Sequence, residues 1–111
     1  MKVNRQELVV WIDTDNTIIK RVDYSSTLVL DYYGQSYFAE PIYKNIEFIK
    51  SLKTRGYYLI VHSNNGYQWA ETVCIALGLD SIIDEVYTKP AKVIDDEPVN
   101  SWIPYTIDLN K

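Results

Sequence analysis

The feature that most constrains the fold is a short apolar run near the N terminus. Residues 8–12 (LVVWI) are apolar without interruption, and the run stops abruptly at the polar residues 13–17 (DTDNT). A run that is apolar on both faces is typical of a central strand in a parallel sheet that is covered on both sides. The run is also far too short to span a bilayer. It therefore predicts a buried strand with a polar turn at its carboxyl end, and we expect Trp11 to lie in the core.

The rest of the chain alternates predicted strands with predicted helices. The further strands are residues 57–62, 82–87 and 92–94, with 105–109 as a candidate edge strand. Helical periodicity covers residues 42–52, with Pro41 suited to the first turn, and a second helix is expected at 67–77. Strands that alternate with helices need crossover connections, which predict an α/β fold: a mainly parallel sheet with helices on both faces.

The segment between the first strand and the first helix, residues 18–40, has a different pattern. Residues 27–33 and 36–39 alternate like strands around Gly34, which supplies the positive φ of a tight turn. They predict a β-hairpin flap, and the segment is too short for a cap domain. Four tyrosines lie in or near the flap (Tyr24, Tyr32, Tyr33 and Tyr37); packing is favoured for them over stacking on a planar ligand.

Composition limits the class of protein. The chain has 111 residues, 47% of them hydrophobic, which predicts one domain over 1–111 that can bury its own core. Fifteen acidic residues against eleven basic ones give a net charge of −4, which argues against bulk binding of nucleic acid but leaves a local basic patch open. The lone Cys74 cannot form an internal disulfide and is expected on a buried helix face. Without a signal peptide or an apolar span, we expect a cytoplasmic protein with no membrane partner.

Polar side chains follow several of the predicted strands at their carboxyl ends. They are Asp13 and Asp15 after the first strand, Ser63 and Asn64 after the second, and Asp95 and Asp96 after the fourth, with Lys89 just before the fourth. Taken singly, each is more typical of a helix cap or a solvated turn. Ligands of open parallel sheets bind outside the carboxyl ends of the strands, so their joint placement predicts a site.

In this order the polar residues resemble the motifs of the haloacid dehalogenase superfamily of phosphotransferases. The matching segments are residues 9–17 (an apolar strand, then Asp-x-Asp-x-Thr), 59–64 (a strand ending in Ser), 89–90 (Lys-Pro) and 93–96 (a strand ending in paired acids). The resemblance implies a Rossmann-like fold in a small member without a cap domain. An Asp at position 15 resembles the phosphatases and phosphomutases of the family.

The chain departs from the family pattern at two points. Asn16 stands where the family usually has Gly, but Asn is the next most tolerant residue for a left-handed backbone. Only five residues separate Lys89 from Asp95, as in shortened members of the family. The shortening leaves Lys89 and Lys92 as alternatives for the motif lysine.

The resemblance also implies a separate role for each site residue. Asp13 would be the nucleophile and Asp15 the general acid and base, while Ser63 and Asn64 would bind the phosphate and Lys89 would neutralise charge. Converging carboxylates repel each other by about 4 kcal/mol per close pair at an effective dielectric near 20, so they need a cation. All-oxygen ligands favour Mg²⁺. Its predicted ligands are Asp13, Asp15 and Asp96, with Asp95 either sharing the ion or supporting the site.

The sequence therefore predicts a Mg²⁺-dependent phosphatase that acts on a phosphorylated substrate through an aspartyl-phosphate intermediate. The site should be open to solvent unless a second copy of the chain covers it. The alternative is a catalytically weak or inactive protein of the same fold with a binding or regulatory role. The intact acidic motifs favour the enzyme, because mutually repelling carboxylates are costly to keep.

Overall fold

The computed structural model describes residues 3–103 and 107, which form six strands and three α-helices. The elements are β1 (Val9–Asp13), β2 (Ile19–Val22), β3 (Leu28–Tyr32), β4 (Gln35–Pro41), α1 (Tyr43–Thr54), β5 (Tyr58–Ser63), α2 (Tyr67–Ala76), β6 (Glu85–Thr88) and α3 (Val99–Trp102). A 3-10 turn, Gln6–Leu8, precedes β1. Pro41 ends β4 and does not lie in the first turn of α1. The three main predicted strands and both predicted helices are confirmed, with boundaries shifted by one to three residues.

A three-stranded parallel sheet with the order β1-β5-β6 forms one half of the fold. In its register Asp13 is opposite His62, and Ser63 is opposite Thr88. The carboxyl ends of all three strands therefore meet at one edge of the sheet. This edge is where the sequence places Asp13, Ser63 and Lys89.

Both long helices contribute to one core on a single face of this sheet. Ile12 of β1 and Val61 of β5 share the core with Ile49 of α1 and Val73 of α2. The strand order advances in one direction, β1 to β5 to β6, so two right-handed crossovers place both helices on the same side. Both long helices therefore lie on the face of Ile12 and Val61, and helices on both faces stay a prediction.

The opposite face of the sheet carries exposed aromatic side chains. Trp11 is 47% exposed, and its ring contacts His62 and Tyr87, with centroids 5.4 and 5.7 Å apart. Trp11 alternates with Ile12, so when Ile12 enters the core, Trp11 must point away from it. The prediction that Trp11 lies in the core is wrong for this reason.

The flap is an antiparallel sheet of three strands in the order β2-β4-β3, one strand more than the predicted hairpin. The hairpin β3–β4 turns at Tyr33 and Gly34, both with positive φ, as the glycine predicts. The sequence does not predict β2, because Lys20 and Arg21 interrupt its apolar pattern. The inner face of the flap belongs to the common core: Ile19 and Ala39 are fully buried.

The predicted fourth strand is absent. Residues 92–94 are irregular, and Ile94 is fully exposed. The candidate strand at 105–109 lies outside the described residues, apart from Ile107. None of the helices in residues 3–103 is both long and apolar enough to cross a membrane.

Candidate functional site

A tight turn follows β1 immediately, at residues 13–19, and Asp15 and Ile19 form an isolated parallel bridge across it; we name it the Asp13 turn. The carbonyl of Thr14 accepts the N–H groups of Thr17 and Ile18 at 3.2 and 3.0 Å. Asn16 has a φ of +64° and donates its N–H to the carbonyl of Ile19 at 2.7 Å. The left-handed backbone predicted for Asn16 is confirmed, and it lets the chain turn from β1 into β2.

Two neighbouring elements hold the Asp13 turn in place. The buried Thr14 hydroxyl donates to the carbonyl of His62 on β5 at 2.8 Å. From α1, the buried Asn45 donates its side-chain N–H to the carbonyl of Thr17, also at 2.8 Å. The turn is therefore tied to the parallel sheet through the Thr14 side chain and to α1 through the Thr17 carbonyl.

Asp15 points from this turn toward the start of α2. Its Oδ2 accepts hydrogen bonds from Asn65 Nδ2 at 3.0 Å and from Trp69 Nε1 at 3.2 Å. Its Oδ1 is buried, and no described residue hydrogen-bonds to it. A buried acceptor without a partner costs on the order of 1–3 kcal/mol. A cation or a donor group of a ligand would remove this cost, so Oδ1 is a candidate binding atom.

Ser63 ends β5, and Lys89 directly follows β6. The Ser63 hydroxyl is buried and accepts the N–H of Asn65 at 3.0 Å, so its own O–H can still donate to a ligand. The Ser63 carbonyl accepts the N–H of Lys89 at 2.9 Å, which places Lys89 directly beside the β5 end. Asn64 is exposed in the turn that follows.

Electrostatics link Lys89 to Asp13 through His62. Burial lowers the pKa of the His62 imidazole below its usual value of 6.5, and the positive charge of Lys89 lowers it further, whereas the Asp13 carboxylate opposes the shift. In the register of the sheet Asp13 is opposite His62, and Lys89 follows Thr88, which is opposite Ser63. The roles of Asp13 as nucleophile and of Lys89 as neutralising cation stay predictions.

The acidic segment, residues 91–98, does not join this cluster. Asp95 and Asp96 are exposed, and Asp95 Oδ1 accepts only the local N–H of Glu97 at 3.0 Å. Lys92 is exposed in the same segment. Because residues 92–94 form no strand beside β1, nothing carries the acidic pair to the sheet edge. In the part of the chain that the structure describes, no three His, Cys, Asp or Glu residues are grouped to hold a metal ion.

The predicted convergence of four carboxylates is therefore not found among the described residues. The structure brings together Asp13, Asp15, Ser63 and Lys89, and it leaves Asp95 and Asp96 apart. The oxygen donors at the sheet edge fit Mg²⁺ in chemistry, and the unpartnered Asp15 Oδ1 is the strongest sign of such a fit. The metal-binding roles of Asp95 and Asp96 stay predictions.

Several residues that support the site gave no signal in the sequence. Trp69 and Asn65 orient Asp15, while Thr14 and Asn45 anchor the turn. Trp69 is buried and receives the ring edges of Tyr32 and Tyr37 from the flap, so these two tyrosines pack as predicted. None of these contacts follows from spacing, because each joins residues from separate elements.

Comparison with models of protein families finds no match. Comparisons with curated proteins and with solved structures also find none. Membership of the haloacid dehalogenase superfamily therefore stays a prediction from the motifs, and the case for function depends on the geometry of the sheet edge.

Proposed function

We propose that this protein is a Mg²⁺-dependent phosphomonoester hydrolase with Asp13 as its nucleophile. The observation that carries the proposal is the pairing of Asp13 and Asp15 in an anchored turn beside Ser63 and Lys89, with Asp15 Oδ1 buried and lacking a partner among the described residues. The proposal includes a Rossmann-like catalytic domain of the haloacid dehalogenase type, with the flap in place of a cap.

In the proposed reaction the Asp13 carboxylate attacks the phosphorus of a phosphate monoester. The phosphorus–oxygen bond to the leaving group breaks, and Asp13 becomes an aspartyl-phosphate. Asp15 supplies the proton that the leaving oxygen needs. It then takes a proton from the water that hydrolyses the aspartyl-phosphate, which regenerates both carboxyl groups. The hydrogen bonds from Asn65 and Trp69 hold Asp15 in one orientation throughout.

Ser63 and Lys89 stabilise the transferred phosphoryl group in this scheme. The Ser63 hydroxyl donates to a phosphate oxygen, and Lys89 offsets the negative charge that Asp13 and the phosphate bring together. Asp13 and Asp15 are the residues that would hold Mg²⁺. When bound, the ion supplies positive charge that lets an anionic substrate approach two carboxylates.

A second candidate function is a non-catalytic binding protein of the same fold. One observation favours it: Asp95 and Asp96, which the motif pattern assigns to the metal, lie in an exposed segment outside the cluster. Such a protein would keep the phosphate-binding edge but not turn substrate over. The two candidates therefore differ in a measurable rate.

Hydrolysis of p-nitrophenyl phosphate separates them. We expect the wild type to hydrolyse it with Mg²⁺ and to lose the rate in EDTA or in Asp13→Asn. Asp80→Asn is the matched control, since Asp80 is an exposed aspartate that follows α2, away from the Asp13 turn. It should keep the wild-type rate. Acid-quenched protein should also carry a phosphoryl group on the peptide that contains Asp13. A Mg²⁺-dependent rate no higher than that of Asp13→Asn would select the binding protein instead.

A further inference from the structure

Arg21 is a cation on the inner face of the flap, next to the candidate site. In the register of the flap it is opposite the fully buried Ala39, and it lies on the same face of β2 as the buried Ile19, two residues away. Its guanidinium therefore leaves β2 on the side that faces α2. The guanidinium carbon lies 5.7 Å from the ring centre of Tyr37 and 5.8 Å from that of Trp69.

Trp69 connects this guanidinium directly to Asp15. The indole ring that Arg21 covers is the one whose Nε1 donates to Asp15 Oδ2 at 3.2 Å. A single side chain thus separates the positive charge of Arg21 from the proposed general acid. Tyr32 and Tyr37 hold the indole by edge contacts, with ring centres 5.2 and 5.5 Å away, so the arrangement is well supported.

No carboxylate neutralises Arg21 among the described residues. The ion pairs there are Arg5 with Glu7, Lys50 with Glu47, and Lys53 with Asp84. Arg55 on Tyr57 is likewise stacked and exposed without an ion pair there, so Arg21 is distinguished by its contact with Trp69, the residue that donates to Asp15. Stacking on aromatic rings preorganises the planar fork, so little freedom is lost when it binds an anion.

A groove of about 600 Å³ opens beside Arg21. Two cations, Lys20 and Arg21, line it against one acid, Asp23, and the aromatic ring of Tyr37 forms part of its wall. The groove can therefore receive a small substituent with a negative charge, and Arg21 and Tyr37 line it while also contacting Trp69, which donates to Asp15.

We infer that Arg21 determines substrate specificity by binding a second anionic group of the substrate. This inference rests on the proposed phosphatase function. The substrate class is a small phosphate monoester that also carries a carboxylate or a second phosphate. The reacting phosphate binds at Asp13 and Ser63, while the second anion forms a bidentate pair with Arg21, which matches the geometry of either group.

Three aryl phosphates test the inference. Phenyl phosphate has no second anion, 4-carboxyphenyl phosphate adds a carboxylate, and 1,4-phenylene bisphosphate adds a phosphate. With Mg²⁺ present, we expect the wild type to prefer at least one of the doubly anionic substrates in kcat/KM by about tenfold or more, the usual worth of a charged hydrogen-bonded pair. The preferred substrate identifies the second group.

Variants then assign the preference to Arg21. Arg21→Gln should remove it by raising KM for the doubly anionic substrate, with the kcat/KM for phenyl phosphate within about twofold of wild type. Arg21→Lys should keep part of the preference, because the charge remains without the planar fork. Arg55→Gln is the matched control: Arg55 covers Tyr57 at 5.6 Å after α1, away from the carboxyl ends of the strands. This variant should leave the substrate preference and kcat/KM unchanged.

A binding measurement keeps this test independent of turnover. Phenylphosphonate and 4-carboxyphenylphosphonate cannot be hydrolysed, and Trp69 beneath Arg21 should report their binding by its fluorescence. If no substrate turns over, but the wild type prefers the carboxylated phosphonate and Arg21→Gln loses that preference, the proposed function falls and only the binding of the second anion by Arg21 stands. If substrates turn over without preference, or with one that survives Arg21→Gln, the inference falls and the function stands. If neither turnover nor a binding preference is found, both fall.

Discussion

The Asp13 turn and the acidic segment begin from similar sequence, a short apolar stretch followed by two close aspartates, and end in opposite environments. In the turn, Thr14 is fully buried, and side chains from α1 and α2 hydrogen-bond to its neighbours. In the acidic segment the contacts of Asp95 are local and its neighbours are exposed. Contacts from other elements therefore fix the Asp13 turn, whereas the acidic segment has none of this kind among the described residues.

The physical difference lies in how much apolar surface each stretch can bury. Residues 8–12 offer five apolar side chains in a row, and β5 pairs with them along the whole of β1. The acidic segment offers Val93 and Ile94 between Pro90 and Pro98. Fixing each backbone residue costs about 1–2 kcal/mol, which two side chains can offset only if they are buried. Ile94 is fully exposed and contributes nothing.

Phosphatase activity should show the largest difference between changes in the Asp13 turn and changes in the acidic segment. Asp15→Asn should lower kcat by about a hundredfold or more, because a positioned general acid contributes about 10²–10⁴. The fold should survive, since the Asn carbonyl can still accept from Trp69. The double change Asp95→Asn/Asp96→Asn should stay within about twofold of wild type, as expected for surface positions. A loss in the double variant as large as in Asp15→Asn would mean that the acidic segment joins the site during catalysis.

The free energy of unfolding should show the next largest difference, between a change in the core and a change in the acidic segment. Trp69→Ala should lower the free energy of unfolding by about 3–5 kcal/mol, because it leaves a cavity beneath Tyr32 and Tyr37. Ile94→Ala should change it by less than about 0.5 kcal/mol. Urea unfolding followed by circular dichroism measures both. Equal effects would show that Ile94 is buried in solution.

Removal of a single hydrogen bond should give a smaller difference in stability between the Asp13 turn and the acidic segment. Thr14→Val removes the donor to the His62 carbonyl and should cost about 1–3 kcal/mol of stability, because that buried acceptor loses a partner. Asp95→Ala removes the acceptor for Glu97, which water can replace, and should cost less than about 0.5 kcal/mol. A neutral Thr14→Val variant, judged by thermal and urea unfolding, would show that the turn does not depend on this anchor.

The rate of thiol labelling compares the buried core with the exposed acidic segment, and it needs only one substitution. Burial raises the pKa of the Cys74 thiol to about 12, so the native wild type should react slowly with a thiolate-specific reagent at pH 8. In the variant Ile94→Cys, one thiol should react at the rate of a free cysteine and the second only after denaturation. Slow reaction of both thiols would place position 94 in a protected environment.

Much of the fold could be predicted because local rules decide it. Alternation and Gly34 predict the β3–β4 hairpin, helical periodicity predicts α1, and Asn16 predicts the left-handed turn. The strand β2 was not predicted because Arg21 lies on the inner face of the flap, where an apolar residue is expected. Its guanidinium stacks on aromatic rings there. The exposure of Trp11 was not predicted for a related reason: the apolar character of a residue in a strand does not show whether that face of the sheet is covered.

At the candidate site, the sequence by itself determined the chemistry of the turn after β1 and the order in which Asp13, Ser63 and Lys89 follow their strands. Parallel pairing brings such residues to one edge in any fold of this topology. Only the tertiary structure decided which partners complete the site: Trp69 and Asn65 orient Asp15, Arg21 lies above Trp69, and the acidic segment stays outside. These outcomes depend on contacts between residues far apart in the chain, and no local pattern encodes the free energy of bringing them together.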